Sequence, residues 1–278
     1  MENKDEQTLK LALNGDINAF QTLFAEFQNQ LKSYLYRLLT DRNDAEDLTH
    51  DTFVKAFHKI STYKGNASLK TWVFTIATHL AYDHLKKYKR WMPDAQDQSK
   101  ALAMSNRAIA DTFFTVNAAS GEGAYEMKEH IDFCFTCISK TLLIENQVAL
   151  ILKDIYDFSV TDISLILEKT EGVVKHLLID ARKTMTEIFD HRCALINKNG
   201  VCNQCSELNG MFNPKQNQQA ALMKLALVKE SKKFNREELF NLRTTLVKAI
   251  DPTRGKGADL QDLIMKCTRQ AIGDLPLN

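Results

Sequence analysis

Apolar residues recur at helical spacing along most of this chain, and very little interrupts them. Only 4 prolines and 10 glycines are spread over 278 residues, so long stretches lack the residues that end helices or set tight turns. No segment sustains the two-residue alternation of a half-buried strand. The pattern predicts an all-α fold. It also narrows the chemistry. There is no glycine-rich phosphate loop, no serine or cysteine triad signature and no pair of carboxylates in an apolar frame, so the chain is not expected to be an enzyme.

The length suits two or three small domains, each with its own core. The periodic segments predict a helical block over 5–91 and a polar, weakly periodic linker over 92–123 holding Pro93, Gly121 and Gly123. A second helical block follows over 124–190, then a cysteine-rich turn over 191–215 and a helical tail over 216–278. Net charge is +1 and the pI about 7.6, so any surface for nucleic acid must be local. The polar start MENKDEQTLK does not resemble a signal peptide. The longest apolar run, Val148 to Leu152, falls far short of the ~20 residues of a membrane helix. A cytoplasmic protein without membrane insertion is expected, and its six cysteines then suit metal or core roles better than disulfides.

Within the first block, YKGNASLKTWVFTIATHLAYDHLKKYKRW (Tyr63 to Trp91) reads as a turn-rich loop entering one long helix. Leu69, Trp72, Val73, Ile76, Leu80 and Leu85 form its apolar stripe. Lys70, Lys86, Lys87, Lys89 and Arg90 are interleaved with Trp72, Tyr82, Tyr88 and Trp91. Bases offer π-faces and phosphates offer charge, so this mixture suits a single-strand surface; a core helix with a solvated basic end is the plain alternative. Just before it, DAEDLTHDTFVKAFHKI (Asp44 to Ile60) predicts a helix with Ala45, Leu48, Thr52, Phe53, Ala56, Phe57 and Ile60 inward. Asp44, Glu46, Asp47 and Asp51 crowd its first half. The helix dipole favours acids there, and the same four acids suit a basic protein partner.

In the second block, Thr161 to Leu167 reads as a short helix, Glu168 and Lys169 as a turn, and Thr170 as the cap of a helix running to about Arg182. Such a helix-turn-helix would turn Lys175, His176, Arg182 and Lys183 toward a major groove.

Together these segments resemble the sigma-70 family of bacterial RNA polymerase initiation factors, in its small extracytoplasmic-function group. DAEDLTHDTFVKAF is similar to the family's region 2 helix that docks on the polymerase clamp, and GNASLKTWVFTIATHLAYDHLKK to the loop and helix that open the −10 element. LLIENQVALILKDIYDFSVTDISLILEKTEGVVKHLLIDARK is similar to region 4, which reads the −35 element. The likeness spans roughly 10–190 and implies core RNA polymerase and promoter DNA as partners, an anti-sigma factor as a further candidate, and no cofactor for activity. It places polymerase contacts at Asp44, Glu46, Asp47, Asp51 and Phe53. It places −10 contacts at Tyr63, Asn66, Ser68, Lys70, Trp72, His79, Lys86, Lys87 and Arg90, with the loop 63–68 receiving an extruded base. For the −35 element it leaves Thr170, Lys175, His176 and Arg182.

Several positions depart from the family pattern. His79 stands where asparagine is usual, His50 where glutamine is common, and Leu143 where a proline is frequent. Glu168 occupies a turn position that favours glycine. Leu177 and Asp180 lie where arginines are often found, which predicts weaker electrostatic binding at the −35 element.

Beyond the resemblance, HRCALINKNGVCNQCSELNG (His191 to Gly210) carries Cys202-x-x-Cys205 after Gly200, similar to a zinc knuckle. His191, Cys193, Cys202 and Cys205 are the candidate ligands of a structural zinc, with Cys134 and Cys137 as rivals; buried thiols and a redox switch stay open as alternatives. The tail segments ALMKLALVKE, REELFNLRTTLVKAI and ADLQDLIMKCTRQAI are amphipathic. They suit helices packed on the second block, or a fused regulatory domain that masks a binding surface. Two other classes compete for the whole chain. A one-component helix-turn-helix regulator would leave Asp44–Ile60 and Tyr63–Trp91 without a role. A thiol enzyme built on Cys134-x-x-Cys137 would need an activating environment that the sequence does not display.

Overall fold

The computed structural model describes residues 4–119, 127–192, 234–254 and 258–277. Among these residues the secondary structure is helical throughout, with twelve α-helices and no strand. The chain divides into two compact units: 1–87 with 144–178, and 88–143 with 179–278.

The first unit begins with α1 (Lys4–Leu13), α2 (Ile17–Leu39) and α3 (Arg42–Lys59), followed by a 3₁₀ turn at Ile60–Thr62. Local chemistry sets these boundaries. Asp16 caps α2 by accepting from the N–H groups of Asn18 and Ala19 at 2.9 and 3.0 Å. Thr40 ends α2 in the left-handed region at φ 58°, and Asp41 accepts from the Asp44 N–H to start α3. α4 (Leu69–Leu85) is capped by Ser68, whose Oγ accepts from the Thr71 N–H at 3.0 Å. Its buried face is Thr71, Val73, Phe74, Ala77, Thr78 and Ala81. That face is rotated from the expected one: Trp72, Ile76, Leu80 and Leu85 are only half-buried. Small and hydroxylated residues let α2 come close, and Tyr34 and Thr78 share a 2.8 Å hydrogen bond inside the core.

The core of this unit is aromatic. Phe20, Phe24 and Phe27 on α2 stack against Phe53 and Phe57 on α3 and Phe74 on α4 at centroid distances of 5.1–6.4 Å. Such pairs add about 0.5–1.5 kcal/mol each beyond area burial. The later segment joins the same core through α8 (Ile144–Leu150), a π turn (Ile151–Ile155) and α9 (Val160–Leu167). Phe158 packs on Phe74 at 4.8 Å, Tyr156 sits edge-on to Tyr34 at 6.1 Å, and the buried Arg37 donates from Nε to the Tyr156 hydroxyl. α9 opens with a full capping box between Ser159 and Asp162.

The second unit holds α5 (Ala95–Ser105), α6 (Arg107–Ala119), α7 (Met127–Ser139), α11 (Arg236–Lys248) and α12 (Ala258–Ala271). α10 (Glu171–Arg192) starts in the first unit and its later residues belong to the second. The stretch expected as a polar linker over 92–123 therefore carries two helices. They are held by small buried residues, Ala95, Ser99 and Ala103, together with Ile109 and Phe113. α12 packs on α5 and α6, while α11 packs on α7. Arg192 donates from Nη2 to both carboxylate oxygens of Asp97 at 2.7 Å, tying α10 to α5. Trp91 is buried at 2% exposure and Tyr88 lies under the Arg269 guanidinium. Neither serves the open aromatic surface expected for Tyr63–Trp91, because the helix from Leu69 stops at Leu85.

Candidate nucleic-acid and polymerase interfaces

The loop entering α4 is braced at its base and open at its tip. The Tyr63 hydroxyl donates to the Ala67 carbonyl at 2.6 Å, and its ring packs on Trp72 at 5.5 Å. Burial raises the Tyr63 pKa, so the phenol stays neutral. Gly65, at φ +73°, turns the chain where a side chain would be strained. Lys64, Gly65, Asn66 and Ser68 are exposed. A rigid aromatic pair beside an exposed polar tip has the chemistry to stack one base and hydrogen-bond another.

The cations near this loop are less free. The Lys70 ammonium lies 4.7 Å from the centre of the Phe158 ring and 5.9 Å from that of Phe74. Burial lowers its pKa, against the pull of Asp162 and Asp157. Next to it, the Thr71 hydroxyl donates to Asp162 Oδ1 at 2.9 Å. Burial works against the Asp162 charge, but hydrogen bonds from the Ser159 hydroxyl, the Thr71 hydroxyl and the Ser159 N–H, with the Lys70 charge, outweigh it. The Asp162 carboxyl therefore sits below its ordinary range. His79, half-exposed, is 3.8 Å from Glu168. Lys86 is bonded to Asp83 at 2.7 Å on the surface. Lys87 and Arg90 are exposed, but Arg90 falls in the second unit.

On α3 the four acids part company. Asp44 is turned toward α4, where its Oδ2 lies 3.1 Å from His84 Nε2. Glu46, Asp47 and Asp51 stay exposed. Glu46 and Asp47 rim a cleft of about 590 Å³ between α2 and α3, floored by Phe24 and Phe53 and closed by Asn29, Lys32 and His50. Phe53 is chiefly a core residue, seated on Phe20 and Phe24, with its remaining edge in the cleft. The α2 wall, Gln21, Gln28, Asn29 and Lys32, was not among the expected site residues. Its signal in the sequence is the polar face of an amphipathic helix, with Gln21, Gln28 and Lys32 seven and four apart.

The helix-turn-helix forms as expected. α9 spans Val160–Leu167, and Glu168 makes the turn in the left-handed region at φ 54°, the conformation glycine would take without strain. Thr170 Oγ1 accepts from the Val173 N–H at 3.4 Å to start α10, which runs on to Arg192 rather than ending near Arg182. Thr170, Lys175, His176 and Arg182 are all exposed, and Arg182 falls in the second unit. Val174 and Leu178 are buried beneath them.

Of the candidate zinc ligands, His191 is exposed at the end of α10, and Cys193, Cys202 and Cys205 lie outside the described residues. Among the described residues no three His, Cys, Asp or Glu side chains are grouped as a metal site. The rival ligands Cys134 and Cys137 are buried in α7, and Cys137 Sγ contacts Met265 Sδ at 3.6 Å. An apolar core disfavours the thiolate that a metal or a redox reaction needs. Cys267 is likewise buried, which raises its pKa.

The first unit thus combines a helical bundle carrying a braced aromatic loop with a helix-turn-helix. Residues 23–91 match the family described as Sigma-70 region 2. The RNA polymerase sigma-H factor of Pseudomonas aeruginosa is 23% identical over 186 residues, covering 66% of this chain and 93% of that protein. The ECF RNA polymerase sigma factor SigW of Bacillus subtilis is 25% identical over 189 residues, covering 66% and 96%. The sigma factor RpoE of Bartonella quintana, solved with the anti-sigma factor NepR, is 21% identical and covers 62% of this chain and 96% of that one. The TM-score of that pair is 0.43. Residues 23–91 thus belong to the Sigma-70 region 2 family, and about two thirds of the chain is similar to RNA polymerase sigma factors, several of them of the extracytoplasmic-function group.

Proposed function

We propose that this chain binds core RNA polymerase, recognises −35 and −10 promoter elements and promotes DNA melting at initiation, with no catalytic step of its own. The match of residues 23–91 to Sigma-70 region 2 carries the reading. The cleft between α2 and α3 suits the polymerase contact, with Glu46, Asp47 and Asp51 offering charge and Phe53 an apolar edge; Asp44 serves the inside of the bundle through His84. Tyr63, Asn66, Ser68 and Trp72 suit capture of the unpaired −10 strand. Lys70, Lys86, Lys87 and Arg90 supply cations and His79 a ring nitrogen; Lys70, His79 and Lys86 already have partners within the first unit. Thr170, Lys175, His176 and Arg182 suit the −35 duplex.

In this reading 5–91 is the polymerase and −10 module and 124–190 the −35 module. The chain works in the cytoplasm and needs no cofactor for initiation; a structural zinc on His191, Cys193, Cys202 and Cys205 would support the segment 191–215, and metal analysis of the purified chain tests it. Among the described residues no helix is long and apolar enough to cross a membrane. A one-component regulator is the weaker reading, since it gives residues 23–91 no task.

The test is to mix the purified chain with bacterial core RNA polymerase and transcribe a library of promoter fragments. A stable complex that starts at discrete sites is the expected result. DNA binding without polymerase binding would overturn it.

A further inference from the structure

We propose that Val173 reads the C5-methyl group of a thymine in the −35 element, adding an apolar base contact to a recognition helix with little charge to spare. The inference rests on the sigma-factor reading and deepens it. After the Thr170 cap, the first turns of α10 expose Gly172, Val173, Lys175 and His176, while Val174 and Leu178 are buried at 0% and 5% exposure. Val173 is a β-branched apolar residue left 41% exposed.

A single exposed valine needs no explanation in itself. Its position gives this one a task, because the N-terminal residues of a recognition helix are those that reach base edges. Thymine alone carries a methyl group at the floor of the major groove, and apolar side chains contact it. Val173 cannot hydrogen-bond to a phosphate or a base edge with its side chain. Its χ1 is stiff on a helix, so docking two methyl groups against a third freezes little motion. Gly172 beside it keeps the leading edge low: a Cβ there would meet only the Thr170 hydroxyl, at 3.9 Å.

The polar neighbours leave room for such a contact. Both carboxylate oxygens of Glu171 are engaged, Oε1 by the Thr161 hydroxyl at 2.7 Å and Oε2 by Lys175 at 4.0 Å. Glu171 is thus drawn toward α9 and shares the charge of Lys175, one of the few cations on this face. With Leu177 and Asp180 on the same helix, base discrimination falls to shape and methyl contact more than to charge.

The test uses the full chain in complex with core polymerase, on the promoter that the fragment library selects. Each −35 thymine is replaced in turn by deoxyuridine, which lacks only the methyl group, and affinity is measured for the wild type, Val173→Ala and Val173→Thr. One position should weaken wild-type binding roughly threefold to tenfold, and Val173→Ala should lose that sensitivity while responding normally elsewhere. Val173→Thr keeps the shape and one methyl group, so it should keep part of the effect and guards against a folding defect. Equal deoxyuridine sensitivity in wild type and Val173→Ala, or no sensitivity at any −35 position, overturns the proposal. Failure to form a polymerase complex or to start at discrete sites would instead overturn the sigma-factor reading itself.

Discussion

The sides of α4 and α10 assigned to DNA differ in how far their polar groups are already engaged inside the first unit. On α4, Lys70 lies over the Phe158 and Phe74 rings, Thr71 donates to Asp162, and His79 approaches Glu168. At the start of α10 the engagement is confined to the helix-turn-helix itself, where Glu171 meets Thr161 and Lys175 and Thr170 caps the helix, while Thr170, Val173 and His176 are exposed. A surface of the first kind must exchange contacts before it can offer them to DNA. A substitution there should register in folding and binding together, whereas one on the open turn of α10 should register in binding alone.

The largest break in this contrast comes from Phe74, whose ring meets Phe27, Tyr34 and Phe158. Phe74→Ala should destabilise the first unit by about 3–5 kcal/mol, measured by chemical denaturation, and a loss below about 1 kcal/mol would show that the aromatic core is not cooperative. Next comes the pair Trp72→Ala and Lys175→Ala, both assayed as polymerase complexes. Trp72→Ala should weaken binding to a forked promoter with an unpaired −10 strand by about 1–3 kcal/mol. Lys175→Ala should weaken duplex binding across sequences and reduce the salt slope by about one. If both variants act equally on duplex and fork, the division of labour between the two helices fails.

Asp162 sharpens the contrast through pH. Its folded pKa is depressed, so the stability it adds is present above its ordinary value of about 3.9 and is lost as pH falls through the lower folded value. In Asp162→Asn that acid limb should shrink, and the capping box should lose about 1 kcal/mol; an unchanged acid titration of stability would count against the assigned carboxylate. The smallest effect belongs to Glu168, held at φ 54°. Glu168→Gly should relieve the left-handed strain and raise stability by up to about 1 kcal/mol, while His79 loses its neighbour and becomes easier to engage. A lower Tm would mean that the 3.8 Å contact with His79 outweighs the strain.

Much of the first unit was legible because its signals are local. The cap at Thr170, the buried stripe of α3 and the turn at Glu168 each follow from a few adjacent residues. Helix α5 was missed for a physical reason: its contact face rests largely on Ala95, Ser99 and Ala103, which pack closely but leave no large apolar stripe to read, whereas α6 offered only Ile109 and Phe113 as large buried residues among the described ones. The true face of α4 was missed similarly, since Thr71 and Thr78 bury as hydroxyls with internal partners. The inward turn of Asp44 toward His84 spans forty residues, and the contact of Lys70 with Phe158 spans more; no local pattern announces either. The site was legible as residue types and order, and illegible as to which cations were already engaged.

The chain has two tryptophans, Trp72 half-buried against Tyr63 in the first unit and Trp91 buried in the second. Each unit thus carries one intrinsic fluorophore, and the two sit in environments of different polarity. Red-edge emission should come from Trp72 and blue-edge emission from Trp91. With one indole replaced by phenylalanine, the melting of either unit becomes visible as a single-colour signal without any added label.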